Sequence, residues 1–320
     1  MGDSRRGYLL RQIENFRSDP MVVDSFCFRI AGVGIRLRTS SEKVRRYCEF
    51  FFLGFHACGT IDLELTVEPY GPTAGFPDLW EDPDPEFDLR GDAVVQRDFV
   101  ARRLPFREAE PEQPDRVVAW LAPEVEDAVH NLLRWALIPR LLRSHAFLVH
   151  AAGIVRNGVG YLFFGQSGAG KSTVTGFIAK SDPHAIVLGD DGVIIEFAEG
   201  QALPSIHAAP LGSGYSRVAP PPLSAPLGGL FALSQDEAHR VVPLAPAEGA
   251  AALLASAMCV DASADLDLRM DLSVRFAFSK CGIHRLQFRR DPGFWPLILE
   301  GKTDDHDRTK TKEKQAAREI

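Results

Sequence analysis

A chain of 320 residues is long enough for two domains, each with a core of its own. Hydrophobic residues make up 45% and charged residues 25%, the balance of an ordinary globular protein, which excludes fibrous and disordered classes. A formal net charge of −7 argues against general nucleic-acid affinity, because a duplex binder needs a basic surface to displace counterions.

The first residues, "MGDSRRGYLL", carry charge but no apolar segment behind it, so no secretory signal is expected. Arg6 stands where N-myristoylation asks for Ser or Thr. No apolar run reaches bilayer length, and a cytoplasmic protein without a membrane partner is the expectation. The five cysteines (Cys27, Cys48, Cys58, Cys259 and Cys281) form no CxxC pair and are odd in number, which suits reduced, buried thiols.

Residues Gly34 to Arg38 ("GIRLR") and Thr60 to Pro69 ("TIDLELTVEP") alternate apolar and polar side chains, the period of half-buried strands. A small sheet with one wet face follows. From Pro72 to Asp92 the chain is rich in Pro, Gly, Asp and Glu and reads as a long acidic connector. Val125, Val129, Leu132, Leu133, Ala136 and Leu137 then recur at helical spacing, with Pro123 placed to open the helix and Pro139 to kink or end it. "AFLVHAAGIV" reads as an apolar strand and "YLFFG" as another. A helix from about Lys171 to Lys180 and a buried strand "AIVLGDDGVIIEF" follow. Farther on, "APPPLSAPLGG" reads as loop, "GAAALLASAM" as helix, and "VRFAFSKCGIHRLQF" as two strands closing the sheet. The polar end "KTDDHDRTKTKEKQAAREI" has no core-forming residues and is expected to be a mobile tail. The expected organisation is an α+β domain over 1–122, a connecting helix over 123–146, an α/β catalytic domain over 147–300 and a polar tail over 301–320.

The chemistry concentrates in "FFGQSGAGKSTVTGF". Gly165, Gly170, Lys171 and Ser172 satisfy G-x-x-x-x-G-K-[ST] between an apolar strand and a helix, the context that gives the pattern meaning. Such a loop wraps a phosphate chain with backbone N–H groups, and a helix N-terminus adds partial positive charge. The loop Gly165, Gln166, Ser167, Gly168, Ala169, Gly170, Lys171, Ser172 and Thr173 is therefore the expected ATP site, with Lys171 on the phosphates and the Ser172 hydroxyl on Mg²⁺. Asp190 and Asp191, just past the apolar residues of the next strand, supply the acidic half of such a site. One can hold metal while the other faces an acceptor hydroxyl, which makes Asp190 a candidate general base.

The combination "VHAAGIVRNGVGYLFFGQSGAGKST…IVLGDDGVII" resembles the catalytic core of HPr kinase/phosphorylase, over roughly Leu148 to Glu196. The resemblance implies an α/β fold with an HPr kinase-like P-loop core, shared with phosphoenolpyruvate carboxykinase, and a mixed β-sheet. It implies that His150 sits beside the aspartate pair and tunes it, that Asp190 is the base, and that Asp191 with Ser172 holds Mg²⁺. The glycine- and arginine-containing signature that the bifunctional enzyme uses for HPr is not found after Glu196, which argues against HPr as substrate. In part of that interval Arg217 is the candidate for contacting phosphate or acceptor. The chain is similar to the looser group of HPr-kinase-related proteins, some of which accompany ribosomally made peptides and phosphorylate a serine hydroxyl on them.

The expected activity is transfer of the γ-phosphoryl group of ATP to a hydroxyl, foremost Ser or Thr of a peptide or protein. A small-molecule hydroxyl kinase and a nucleotide-dependent regulatory protein without phosphotransfer are the alternatives. Homo-oligomerisation through an isologous contact is the default for a soluble protein.

Overall fold

The computed structural model describes residues 24–57, 59–69, 88–90, 92–96, 98–104, 113–121, 125–197, 203–211, 223–259 and 265–301. It is a mixed α/β protein with two mixed sheets, and the chain divides into two compact units, Met1–Arg140 and Leu141–Ile320. The division falls inside the helix expected as a connector. No helix among the described residues is long and apolar enough to cross a membrane.

In the first unit, β1 (Asp24–Ile30) and β2 (Val33–Thr39) form a hairpin closed by Ala31 and Gly32, both at positive φ as a two-residue turn requires. Helix α1 (Glu42–Phe51) opens at Ser41, whose hydroxyl accepts from the Val44 amide, and buries Val44, Cys48 and Phe51. It carries the chain to β3 (Leu63–Pro69), parallel to β2, as a crossover to a parallel strand requires. Strands β4 (Asp88–Arg90), β5 (Ala93–Val95), β6 (Phe99–Arg103) and β7 (Asp115–Leu121) complete the order β1-β2-β3-β7-β6-β5-β4. In β3, Leu63, Leu65 and Val67 are buried while Glu64, Thr66 and Glu68 are partly exposed, the alternation expected of a half-buried strand. Most of the acidic stretch from Pro72 to Asp92 lies outside the described residues, apart from β4 and Asp92 at its end.

Helix α2 (Val125–Arg143) does not stop at Pro139; it runs on through it. Proline lacks the N–H that would serve the carbonyl of Trp135, four residues back. Arg103 fills the place: its Nη2 donates to Trp135 O at 2.7 Å, and its guanidinium lies 4.0 Å above the Trp135 ring. Pro123 and Arg217, like Cys58 and the polar end beyond Gly301, lie outside the described residues.

The second unit is built on β8 (Ala146–Val149), β9 (Ala151–Arg156), β10 (Val159–Phe164), β11 (Ala185–Gly189), β12 (Val193–Glu196), β13 (Ser205–Ala208), β14 (Ser224–Gln235), β15 (Arg240–Pro243) and β16 (Ile283–Phe288). Its strand order is β11-β9-β10-β14-β13-β12-β8, with β16 joined to β14 and β15 to β16. Helix α3 (Lys171–Ser181) buries Val174 and Ile178 against a cluster that includes Phe163, Phe231, Leu286 and Phe288. Helices α4 (Pro246–Ser256), α5 (Leu266–Ala277) and α6 (Phe294–Leu299) complete the unit.

Four local expectations are corrected. "AFLVHAAGIV" is two strands broken at His150: β8 pairs with β12, whereas β9 pairs with β10 and β11. "AIVLGDDGVIIEF" is likewise two strands, because the chain turns at Asp190–Gly192 between β11 and β12. "SAPLGG" is not loop but the start of the long strand β14, whose Pro226 sits at the β13 pairing and whose later residues join β10 and β16. "VRFA" ends helix α5, so only "IHRLQF" is a strand there. The thiols also differ from a uniformly buried set: Cys48 is buried, Cys27 and Cys281 are partly so, and Cys259 is exposed.

Candidate functional site

Strand direction assembles the site. β10 is parallel to β14, and β14 to β16, so the C-terminal ends of all three lie along one edge. β9 runs antiparallel to both β10 and β11, which points β11 the same way as β10. The start of β9 therefore lies on that edge too, where Ala151 pairs with Phe164. His150 precedes β9, the glycine loop follows β10, Asp190 and Asp191 follow β11, Gln235 ends β14, and Arg290 follows β16. Ligands of open α/β sheets bind at this kind of edge.

These groups line one cavity of about 370 Å³: His150, Asp190, Asp191, Gln235 and Arg290 meet there with the loop and first-turn residues Ser167, Gly168, Gly170, Lys171, Ser172 and Thr173. Gly165, Gln166 and Ala169 do not line it; they shape the loop from behind. Gly165 and Gln166 turn their carbonyls to Lys171 Nζ, at 3.0 and 3.3 Å, and the Ala169 amide donates to Gln166 O at 3.0 Å. Gly170 caps α3 without a side chain, which leaves the first-turn amides open to an anion.

Lys171 is almost fully buried, and burial pushes its ammonium pKa down while the Asp191 charge pushes the other way. The Asp190 carboxyl is held above the ordinary aspartate range. Burial raises its carboxyl pKa, the neighbouring Asp191 charge raises it further, and only its own amide opposes. Its Oδ1 is buried and has no hydrogen-bond partner among the described residues. A buried carboxylate oxygen left in that state is costly unless something else completes it.

His150 joins the pair through Asp191. Its Nδ1 lies 3.1 Å from Asp191 Oδ1 and 3.1 Å from the Asp191 carbonyl. Both are acceptors, so Nδ1 carries the proton and donates. The bond fixes the Asp191 carboxylate, while the His150 amide is anchored on Ser256 O at 2.8 Å.

A Cβ on Gly168 would project into open space at φ +81, whereas one on Gly170 would meet Phe288 Cζ at 2.7 Å, so β16 packs hard against the loop from one side only. No group of three or more His, Cys, Asp or Glu forms a metal cage among the described residues. Ser172 and Asp191 are hard oxygen donors of the kind that hold Mg²⁺ when phosphates supply the remaining ligands.

Sequence reasoning missed Gln235 and Arg290. Gln235 Nε2 donates to Gly168 O at 2.9 Å and so braces the loop. Only the basic pair Arg289–Arg290 between a strand and an Asp-Pro-Gly turn signalled the second.

Residues 125–277 are similar to a protein family described as SynChlorMet cassette protein ScmC. The matched segment includes the glycine loop, both aspartates and Gln235, and stops before Arg290. A comparison with curated proteins finds no match.

Proposed function

We propose that the second unit is an ATP-dependent kinase that transfers a phosphoryl group to a hydroxyl, foremost a Ser or Thr hydroxyl of a peptide or protein. The observation that carries the reading is the partnerless Asp190 Oδ1 in a cavity that also holds Lys171, Ser172 and Asp191. A phosphate-binding loop alone would serve any nucleotide binder; a desolvated carboxylate beside it suits proton abstraction.

In this reading the loop amides and Lys171 hold the phosphates, and Ser172 and Asp191 hold Mg²⁺. MgATP supplies an activated γ-phosphoryl group with part of its charge neutralised. Asp190 takes the proton from the acceptor hydroxyl as its oxygen bonds to phosphorus, and Lys171 stabilises the charge left on the departing diphosphate. His150 fixes the Asp191 carboxylate through its Nδ1–H, which would keep that carboxylate available to a metal.

Incubation with Mg²⁺ and γ-labelled ATP, first with a Ser/Thr peptide pool and then with a metabolite extract, tests the reading. The expected result is label on a peptide hydroxyl, lost in Lys171→Ala and reduced by roughly 10²–10⁴-fold in Asp190→Asn. Label on a metabolite would assign a small-molecule kinase. Free phosphate alone, with Asp190→Asn equal to wild type, would overturn phosphotransfer in favour of a regulatory nucleotide binder.

A further inference from the structure

We infer that Arg290 is a second phosphate-binding cation of the cavity, acting from the end of β16 while Lys171 acts from the start of α3; the inference rests on the nucleotide reading above. Four observations converge on it. Arg290 lines the same cavity as Lys171 and Ser172. It follows Phe288 by two residues, and the Phe288 ring abuts Gly170, so the chain leaving β16 is fixed beside the loop. The parallel pairing of Leu230–Gln235 with Ile283–Phe288 sets that exit next to Gln235, the residue that braces the loop through Gly168. The adjacent arginine differs from it: Arg289 is tied to Asp291 in an ion pair, whereas Arg290 makes no ion pair or hydrogen bond with the described residues.

Charge supplies the reason. The cavity carries two carboxylates, and Lys171 is the one cation there already engaged, by Gly165 and Gln166. Even with Mg²⁺ at Ser172 and Asp191, a polyphosphate entering beside Asp190 and Asp191 brings more negative charge than the metal and one ammonium offset. A guanidinium brings a planar fork that pairs with two phosphate oxygens at once. An unpaired arginine at the exposed end of a strand keeps that fork available until the anion arrives.

Titration calorimetry with MgATP and, separately, with inorganic tripolyphosphate and Mg²⁺ tests the assignment on the full chain. Arg290→Gln is expected to weaken both ligands by roughly 10- to 100-fold, as for loss of a charge-assisted pair. Arg290→Lys should fall between it and wild type. Lys280→Gln, an exposed site with the same change in charge, should leave both affinities unchanged. The Arg290→Gln unfolding curve should overlay that of wild type, since the side chain has no partner to lose among the described residues. Arg290→Gln binding both ligands as wild type does would overturn the inference and leave the nucleotide reading standing. Weaker ATP with unchanged tripolyphosphate would move Arg290 from the phosphates to the base, and also overturn it. Wild type binding neither ligand would bring down the nucleotide reading itself.

Discussion

Gly170 and Gly168 share a backbone region that side chains avoid, at φ +108 and +81, yet their surroundings differ. A methyl at Gly168 meets nothing within 4 Å, so Gly168→Ala carries only the left-handed backbone cost, about 1–2 kcal/mol. At Gly170 the same methyl also strikes Phe288 Cζ at 2.7 Å, and overpacking adds a further ~1–3 kcal/mol. Urea denaturation of the two variants should therefore show Gly170→Ala as the less stable. Adding Phe288→Leu should return part of the difference to Gly170→Ala and none to Gly168→Ala. Equal stabilities for the two alanine variants would contradict the contact. Both glycines were legible in the pattern G-x-x-x-x-G-K-[ST], because a loop that wraps an anion imposes its residue types locally. Asp190 and Asp191 were legible for the same reason, as acids at the end of an apolar run. The place of His150 beside the pair was implied only by the resemblance, and which aspartate it bonds, Asp191, depends on where β9 begins.

At the scale of elements, the proline inside α2 is tolerated because a distant strand compensates for it. Removing Arg103 strands the Trp135 carbonyl, at about 1–3 kcal/mol, and removes the guanidinium from the indole face, at about 0.5–1 kcal/mol. Pro139→Ala restores an N–H in register with that carbonyl. In a double-mutant cycle Arg103→Ala should be markedly less damaging on the Pro139→Ala background, and simple additivity would show that the two residues do not share the carbonyl. A local reading of proline expects the helix to kink or end because it sees no arginine 36 residues upstream. The same blindness explains β14 and Arg290. "SAPLGG" has the composition of a turn, and only pairing with β13 and β10 makes it the start of a strand whose later residues join β16 and whose end helps build the cavity. "VRFA" failed for the opposite reason: its β-branched and aromatic residues suit a strand, but Phe276 is wanted by a helix that packs it edge-on against Phe147 and Phe197.

For the whole molecule, the two units answer acid through different groups. In the first, His130 is buried with its Nε2 3.0 Å from the Tyr47 hydroxyl, and burial, assisted by the Arg134 charge, pulls its pKa down from 6.5 to about 4. The unfolded chain takes up this proton near pH 6.5 and the folded unit resists it until about 4. Stability is therefore lost as pH falls through that window, reaching roughly 3 kcal/mol at its lower end. In the second, burial of Asp182 pushes its carboxyl up, but hydrogen bonds from Trp295 Nε1, Arg156 Nε and the His184 amide outweigh it and hold the pKa below the ordinary value. That contribution is present above the unfolded aspartate value of about 4 and is lost as pH falls through the lower folded one. His284, lowered by burial, adds a histidine response to the second unit as well, so variants give the clean comparison. Hydrogen exchange corrected for intrinsic pH effects should show His130→Gln flattening the response of the first unit between pH 6.5 and 4 while the second is unchanged. Asp182→Asn should lower protection in the second unit at pH 7 and remove much of its further loss below pH 4. A His130→Gln protein whose first unit still softens across the upper window would show that the buried imidazole does not set its acid limit.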